Sequence, residues 1–140
     1  MYPFGYPVFF SYIHTMNKEK IQSIINKVYP KIRDYYGPDR SDFPPVEIHT
    51  NIHARLTGEP DAEGEETAEA EFDRKENKIF LYSDTINTDE DIIRGIIHEY
   101  VHFLQNASWM KRYYNMGRDY TNHPYEISAK KEEENWKKFA

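Results

Sequence analysis

Ile96-Ile97-His98-Glu99-Tyr100-Val101-His102-Phe103-Leu104-Gln105 is the stretch on which the reading of this chain turns. Residues four apart on a helix sit one turn above each other, so His98 and His102 present two imidazoles to one point. Glu99 projects from the neighbouring edge of the same turn. Neutral imidazole nitrogens bind Zn²⁺ at ~2.0–2.1 Å, and a carboxylate beside them can take a proton from a metal-activated water.

The spacing is the HExxH arrangement of zinc peptidases. Three fixed residues in five recur by chance, so the surroundings carry much of the argument. Ile92, Ile93, Ile96, Ile97, Tyr100, Val101, Phe103 and Leu104 leave almost no polar surface around the motif. A helix apolar on nearly every side belongs in a core, and a charged Glu99 there needs a reason. The plain alternative is a core helix with two hydrogen-bonded histidines. Gly95 favours the metal reading, because it shares the stripe of His98, Glu99 and His102 and opens space for a substrate or a facing strand. A mid-helix glycine otherwise costs about 1 kcal/mol relative to alanine.

Composition narrows the classes. The length of 140 residues suits one domain, 1–140, with a core large enough to need no cross-links. Eighteen Lys and Arg stand against 24 Asp and Glu, a net charge of -6, which argues against nucleic acid as partner. Cysteine is absent, so any zinc must be held by His, Glu or Asp. The start of the chain lacks the basic and apolar regions of a secretory signal. No apolar run reaches the ~20 residues of a membrane helix. A cytoplasmic, monomeric protein without a membrane partner is the expectation.

Residues 1–14 are aromatic and irregular; Val8-Phe9-Phe10-Ser11-Tyr12-Ile13 fits a short packing strand or a flap over a site. Ile21, Ile24, Ile25, Val28, Ile32 and Tyr35 recur at helical spacing and predict a helix from Asn17 to Tyr36, kinked or divided at Pro30. Val46 to His53 alternates with period two and reads as a strand, with Val46, Ile48 and Ile52 inward and His49 and His53 outward, as spare imidazoles. Residues 57–66 form an acidic loop. Thr67–Asp73 and Lys78–Ser83 alternate around the turn Arg74-Lys75-Glu76-Asn77, which predicts an antiparallel meander. Thr88 caps the motif helix, with Asp89, Glu90 and Asp91 in its first turn. A helical turn or two follows Ala107, and a last helix runs from Pro124 to Lys138.

Catalytic zinc keeps three protein ligands and one open position. In the metzincin pattern the third ligand is a histidine just downstream, after a glycine. Gln105 and Ser108 stand at those two places, so the ligand must come from a separate element. Glu126 is the first candidate, since a helix that starts at Pro124 aims its carboxylate and Ala129 lets the motif helix approach. Glu132, Glu133 and His123 are rivals.

Here the chain resembles the gluzincin metallopeptidases, which pair HExxH with a downstream Glu in a Glu-x-x-Ala setting. It is most similar to the small single-domain minigluzincins. The resemblance covers mainly residues 78–130 and rests on His98, Glu99, His102 and Glu126. It implies an α+β, zincin-like fold in which a small antiparallel sheet packs on an N-terminal helix, a buried HExxH helix and a C-terminal helix. One Zn²⁺ per chain is then held by His98, His102 and Glu126. Glu99 is the general base of a zinc peptidase acting on peptide or protein substrates. A catalytically silent zinc-binding module of the same fold is the alternative. Many gluzincins carry, four residues after the ligand Glu, an Asp that buttresses a zinc histidine, where this chain has Lys130. The buttress then comes from elsewhere, or another residue is the ligand. Tyr113, Tyr114, Tyr120, His123 and Tyr125 are the candidate donors to an oxyanion.

Overall fold

In a computed structural model, residues 16–37, 42–59, 62 and 68–140 are described. The expected strand or flap within 1–14 and most of the acidic loop lie outside them. Helix α1 (Lys18–Tyr36) starts where the Asn17 side chain accepts from the Lys20 N–H at 2.8 Å. Its Ile21, Ile25, Val28, Tyr29 and Ile32 are buried. Of the two outcomes expected at Pro30, a kink or a division, the helix is not divided there, and Pro30 sits on its exposed face.

Strand β1 (Val46–His49) is followed by helix α2 (Ile52–Thr57), then by β2 (Ala70–Asp73) and β3 (Lys78–Tyr82). The sheet order is β1-β3-β2, with β3 in the middle and buried at Ile79, Phe80, Leu81 and Tyr82. β2 and β3 form the expected hairpin, Phe72 opposite Ile79. β1 runs parallel to β3, with Val46 opposite Ile79, so the sheet is mixed and not antiparallel. A parallel neighbour requires a crossover, and α2 with the loop after it supplies one.

The strand expected to reach His53 stops at His49. Asn51 takes over, accepting from the Ala54 N–H at 2.8 Å as the cap of α2. Gly58 ends that helix with φ of 78°, a left-handed conformation that glycine adopts without strain. Period-two alternation over 46–53 therefore mixed a strand with the first turn of a helix.

The motif helix α3 (Asp89–Leu104) begins in a complete capping box between Thr88 and Asp91. It is buried on nearly every side: Ile92, Ile93, Ile96, Ile97, Tyr100, Val101 and Phe103 join the core formed with α1 and β3. Tyr100 meets Tyr29 of α1 edge to face at 5.8 Å. β2 and β3 pass beside Gly95 at a distance that would admit a methyl group, since a Cβ there would lie in ordinary contact, 3.5 Å from both Ala70 Cβ and Leu81 Cδ2.

Helices α4 (Ala107–Asn115) and α5 (Pro124–Glu132) complete an α+β fold of five α-helices and a three-stranded mixed sheet among the described residues. The last helix is shorter than expected and tightens into a 3₁₀ segment, Glu133–Lys138. Ala129 and Phe139 still dock into the core. No helix of the described residues is long and apolar enough to cross a membrane.

Candidate metal centre

The three side chains that meet between α3 and α5 are His98, His102 and Glu126. Their placement follows from local rules. His98 and His102 share a stripe of α3 four residues apart, and their rings stand 4.8 Å apart at 81°. Glu126 is the third residue of α5, whose start is fixed from three sides. Pro124 occupies the first turn, where its missing N–H costs nothing. His123 caps the helix by accepting from the Tyr125 N–H at 3.0 Å. Its other ring nitrogen donates to the Met110 carbonyl at 3.0 Å. His123 is fully buried in this structural role and does not join the ligand cluster.

Glu126 Oε1 lies 3.0 Å from His98 Nε2 and 2.8 Å from His102 Nε2, and the two Nε2 atoms are 3.2 Å apart. Donors at ~2.0–2.1 Å from a tetrahedral zinc are ~3.3 Å from one another, so this triangle is only slightly tighter than zinc requires.

The outer ring nitrogens decide what the inner ones offer. His98 Nδ1 faces Glu133 Oε2 at 2.7 Å, and a carboxylate only accepts. His102 Nδ1 faces Gln105 Oε1 at 2.6 Å. The Gln105 amide is oriented by its own Nε2, which donates to the Tyr125 carbonyl at 3.1 Å. Both Nδ1 atoms are therefore N–H donors. In the neutral imidazoles both Nε2 atoms carry lone pairs, and these point with the Glu126 carboxylate at a common point. Three acceptors facing one another repel unless a cation stands among them. The donor set fits zinc, whose ligating histidines characteristically give their second N–H to a carboxylate or carbonyl.

Electrostatics agree. Burial disfavours charge on His98, but hydrogen bonds to Glu126 and Glu133 overcome it and push the imidazole up to about 10. Burial also works against the Glu126 carboxylate, yet the bonds from His102 and His98 hold it well below the usual carboxylate range. Glu99, buried against the same cluster, is pushed up to about 7 by desolvation, with His98 and His102 pulling the other way. A base in that range gives and takes protons near neutrality.

The cluster opens into a cleft of about 720 Å³, within the ~300–1,000 Å³ usual for ligand sites. β2 forms one wall through Ala68 to Phe72, and Arg94, Gly95, Met110, Tyr120 and Lys130 lie around the rim. Tyr114 donates its hydroxyl to Glu126 Oε2 at 3.3 Å. Of the other aromatic candidates, Tyr120 lines the cleft, whereas Tyr113 and Tyr125 pack around His123.

Among the expected site residues, His98, Glu99, His102 and Glu126 come together. Of the rivals, Glu133 is the buttress that Lys130 could not be, and the Glu132 carboxylate accepts from Asn135 while its backbone carbonyl accepts from the Tyr36 hydroxyl. His49 pairs with Glu47 at 3.3 Å, and neither it nor His53 is in the cluster. Gln105 was missed as a partner of His102. Its position three residues on, one helical turn away, was the available signal. No family model, curated protein or solved structure matches the chain.

Proposed function

We propose that this protein is a zinc-dependent peptidase of zincin-like fold, built on the gluzincin plan, with one zinc held by His98, His102 and Glu126. The observation that carries the reading is the convergence of two imidazole lone pairs and a carboxylate, each oriented from behind, at the floor of an open cleft. Bound there, zinc supplies a Lewis acid that polarises a carbonyl and lowers the pKa of water toward ~7.

The chain's own groups account for the remaining work. Glu99 takes a proton from the attacking water and returns it to the departing amine nitrogen, so that water is added across the C–N bond. The Tyr114 hydroxyl, already against Glu126, donates to the negative oxygen that develops on the substrate carbonyl. Among the described residues β2 is an edge strand along the cleft, and its outer side can hold an extended peptide through main-chain hydrogen bonds.

Two measurements test this. Metal analysis after zinc-replete purification should give one zinc per chain. A quenched fluorescent peptide mixture should be cleaved by the native protein and not by Glu99→Gln. Zinc without turnover in both forms would leave a metal-binding module; no zinc would remove the metal reading altogether.

A further inference from the structure

Helix α4 follows the motif helix directly and buries none of its residues. Trp109 is 45% exposed and Tyr114 41%, with Met116 beyond them at 68%. Trp109 and Tyr114 lie on α4 and Met116 just past its end, and exposed apolar groups beside a cleft are suited to meeting a partner. This helix is continuous with the cleft: Met110 forms part of its wall, and the Met110 carbonyl is pinned by buried His123.

The sheet says which part of a peptide would meet it. Ala70 of β2 lies beside Gly95, Phe72 stacks on Phe103 at 5.9 Å, and Arg74 just beyond the strand donates to the His102 carbonyl at 2.6 Å. β2 thus runs from the amino-terminal half of α3 toward its carboxyl end, where α4 begins. Antiparallel pairing is the more stable and the commoner mode of strand addition. A peptide added that way runs opposite to β2. Its amino-terminal half passes Phe72, Arg74 and Met110, and its carboxyl-terminal half passes Ala70, Glu69 and Arg94.

We propose that Met110 and Phe72, which both line the cleft, form the subsite for a bulky apolar side chain on the amino side of the scissile bond. The substrate class is an extended polypeptide carrying Leu, Met or an aromatic residue at that side. This rests on the hydrolase reading above. A second copy of the chain is a less suitable occupant, because Met110 lines the cleft beside His98, Glu99 and His102, where an extended strand fits and a folded surface does not. Lys111 and Arg112 give the helix a basic edge, which makes an anionic membrane surface the rival occupant that the test includes.

The test uses zinc-loaded full-length protein and a set of quenched peptides that differ only within two residues on either side of one bond. Leu or Phe on the amino side should raise kcat/KM at least ~10-fold over Ser or Asp, and Met110→Ala should shrink that ratio to within about twofold. Calorimetry on Glu99→Gln with the same peptides gives a readout independent of turnover. The apolar peptides should bind more tightly by a similar factor, again only with Met110 present. If no peptide is cleaved, the hydrolase reading fails and calorimetry alone decides the subsite. Equal binding of all peptides, or a preference confined to the carboxyl side, overturns the proposal. So does association only with anionic phosphatidylserine vesicles, or self-association that Met110→Ala abolishes without touching peptide preference.

Discussion

Replacing Glu133 with alanine removes the acceptor behind His98 and nothing that touches the metal position. Glu133 Oε2 is 2.7 Å from His98 Nδ1, and the two side chains are only 8% and 14% exposed, so water does not readily take over the bond. Arg94, 3.9 Å from the other Glu133 oxygen, keeps Glu90 at 2.6 Å, so the loss falls on the imidazole. A hydrogen bond to a charged partner contributes ~1.5–3 kcal/mol, and loss of such an outer partner lowers metal affinity ~10–100-fold. Gln105 is a neutral acceptor for His102 at 2.6 Å, and the corresponding ~0.5–1.5 kcal/mol gives roughly two- to thirteenfold. Zinc affinity should therefore fall in the order native, Gln105→Ala, Glu133→Ala, with Glu133→Gln between the last two because it keeps an acceptor. Competition against a chromophoric chelator measures each constant, and circular dichroism checks that the fold persists. A Glu133→Ala protein with native zinc affinity, or a Gln105→Ala protein weaker than it, would refute the assignment of the two buttresses.

Three further outcomes are expected. Glu126→Ala should weaken zinc binding at least ~100-fold, more than either buttress loss, because it removes a donor atom and not its support; unchanged affinity would assign the third ligand to another residue. Tyr114→Phe should lower kcat by ~10²–10³ with KM little changed and zinc retained, and steady-state kinetics showing native kcat would take the oxyanion role from Tyr114. Gly95→Ala should raise the thermal midpoint by about 3 °C, since alanine favours a helix interior by about 1 kcal/mol and the added Cβ makes only ordinary 3.5 Å contacts with Ala70 and Leu81. A lower midpoint in a thermal scan would mean that β2 cannot accommodate even that methyl group.

The sequence by itself determined whatever depends on spacing along one element. The four-residue separation of His98 and His102, the apolar run around them, the Thr88 cap and the hairpin at Arg74–Asn77 are all local, and the structure keeps them. Glu126 was readable as a candidate because Pro124 fixes where its helix starts. The direction of β1 was not legible, because strand alternation looks the same whether a neighbour runs parallel or antiparallel. The parallel pairing of β1 with β3 is a property of the assembled sheet that no spacing within β1 encodes. Nor could spacing say which downstream acid would be ligand and which buttress. Glu126 and Glu133 lie seven residues apart on one face, and only the approach of α5 to α3 puts Glu126 against both Nε2 atoms and Glu133 behind the His98 ring. Side-chain periodicity is a property of a helix alone; which of its atoms face a second helix is set by how the two pack, and that information is spread over the whole core.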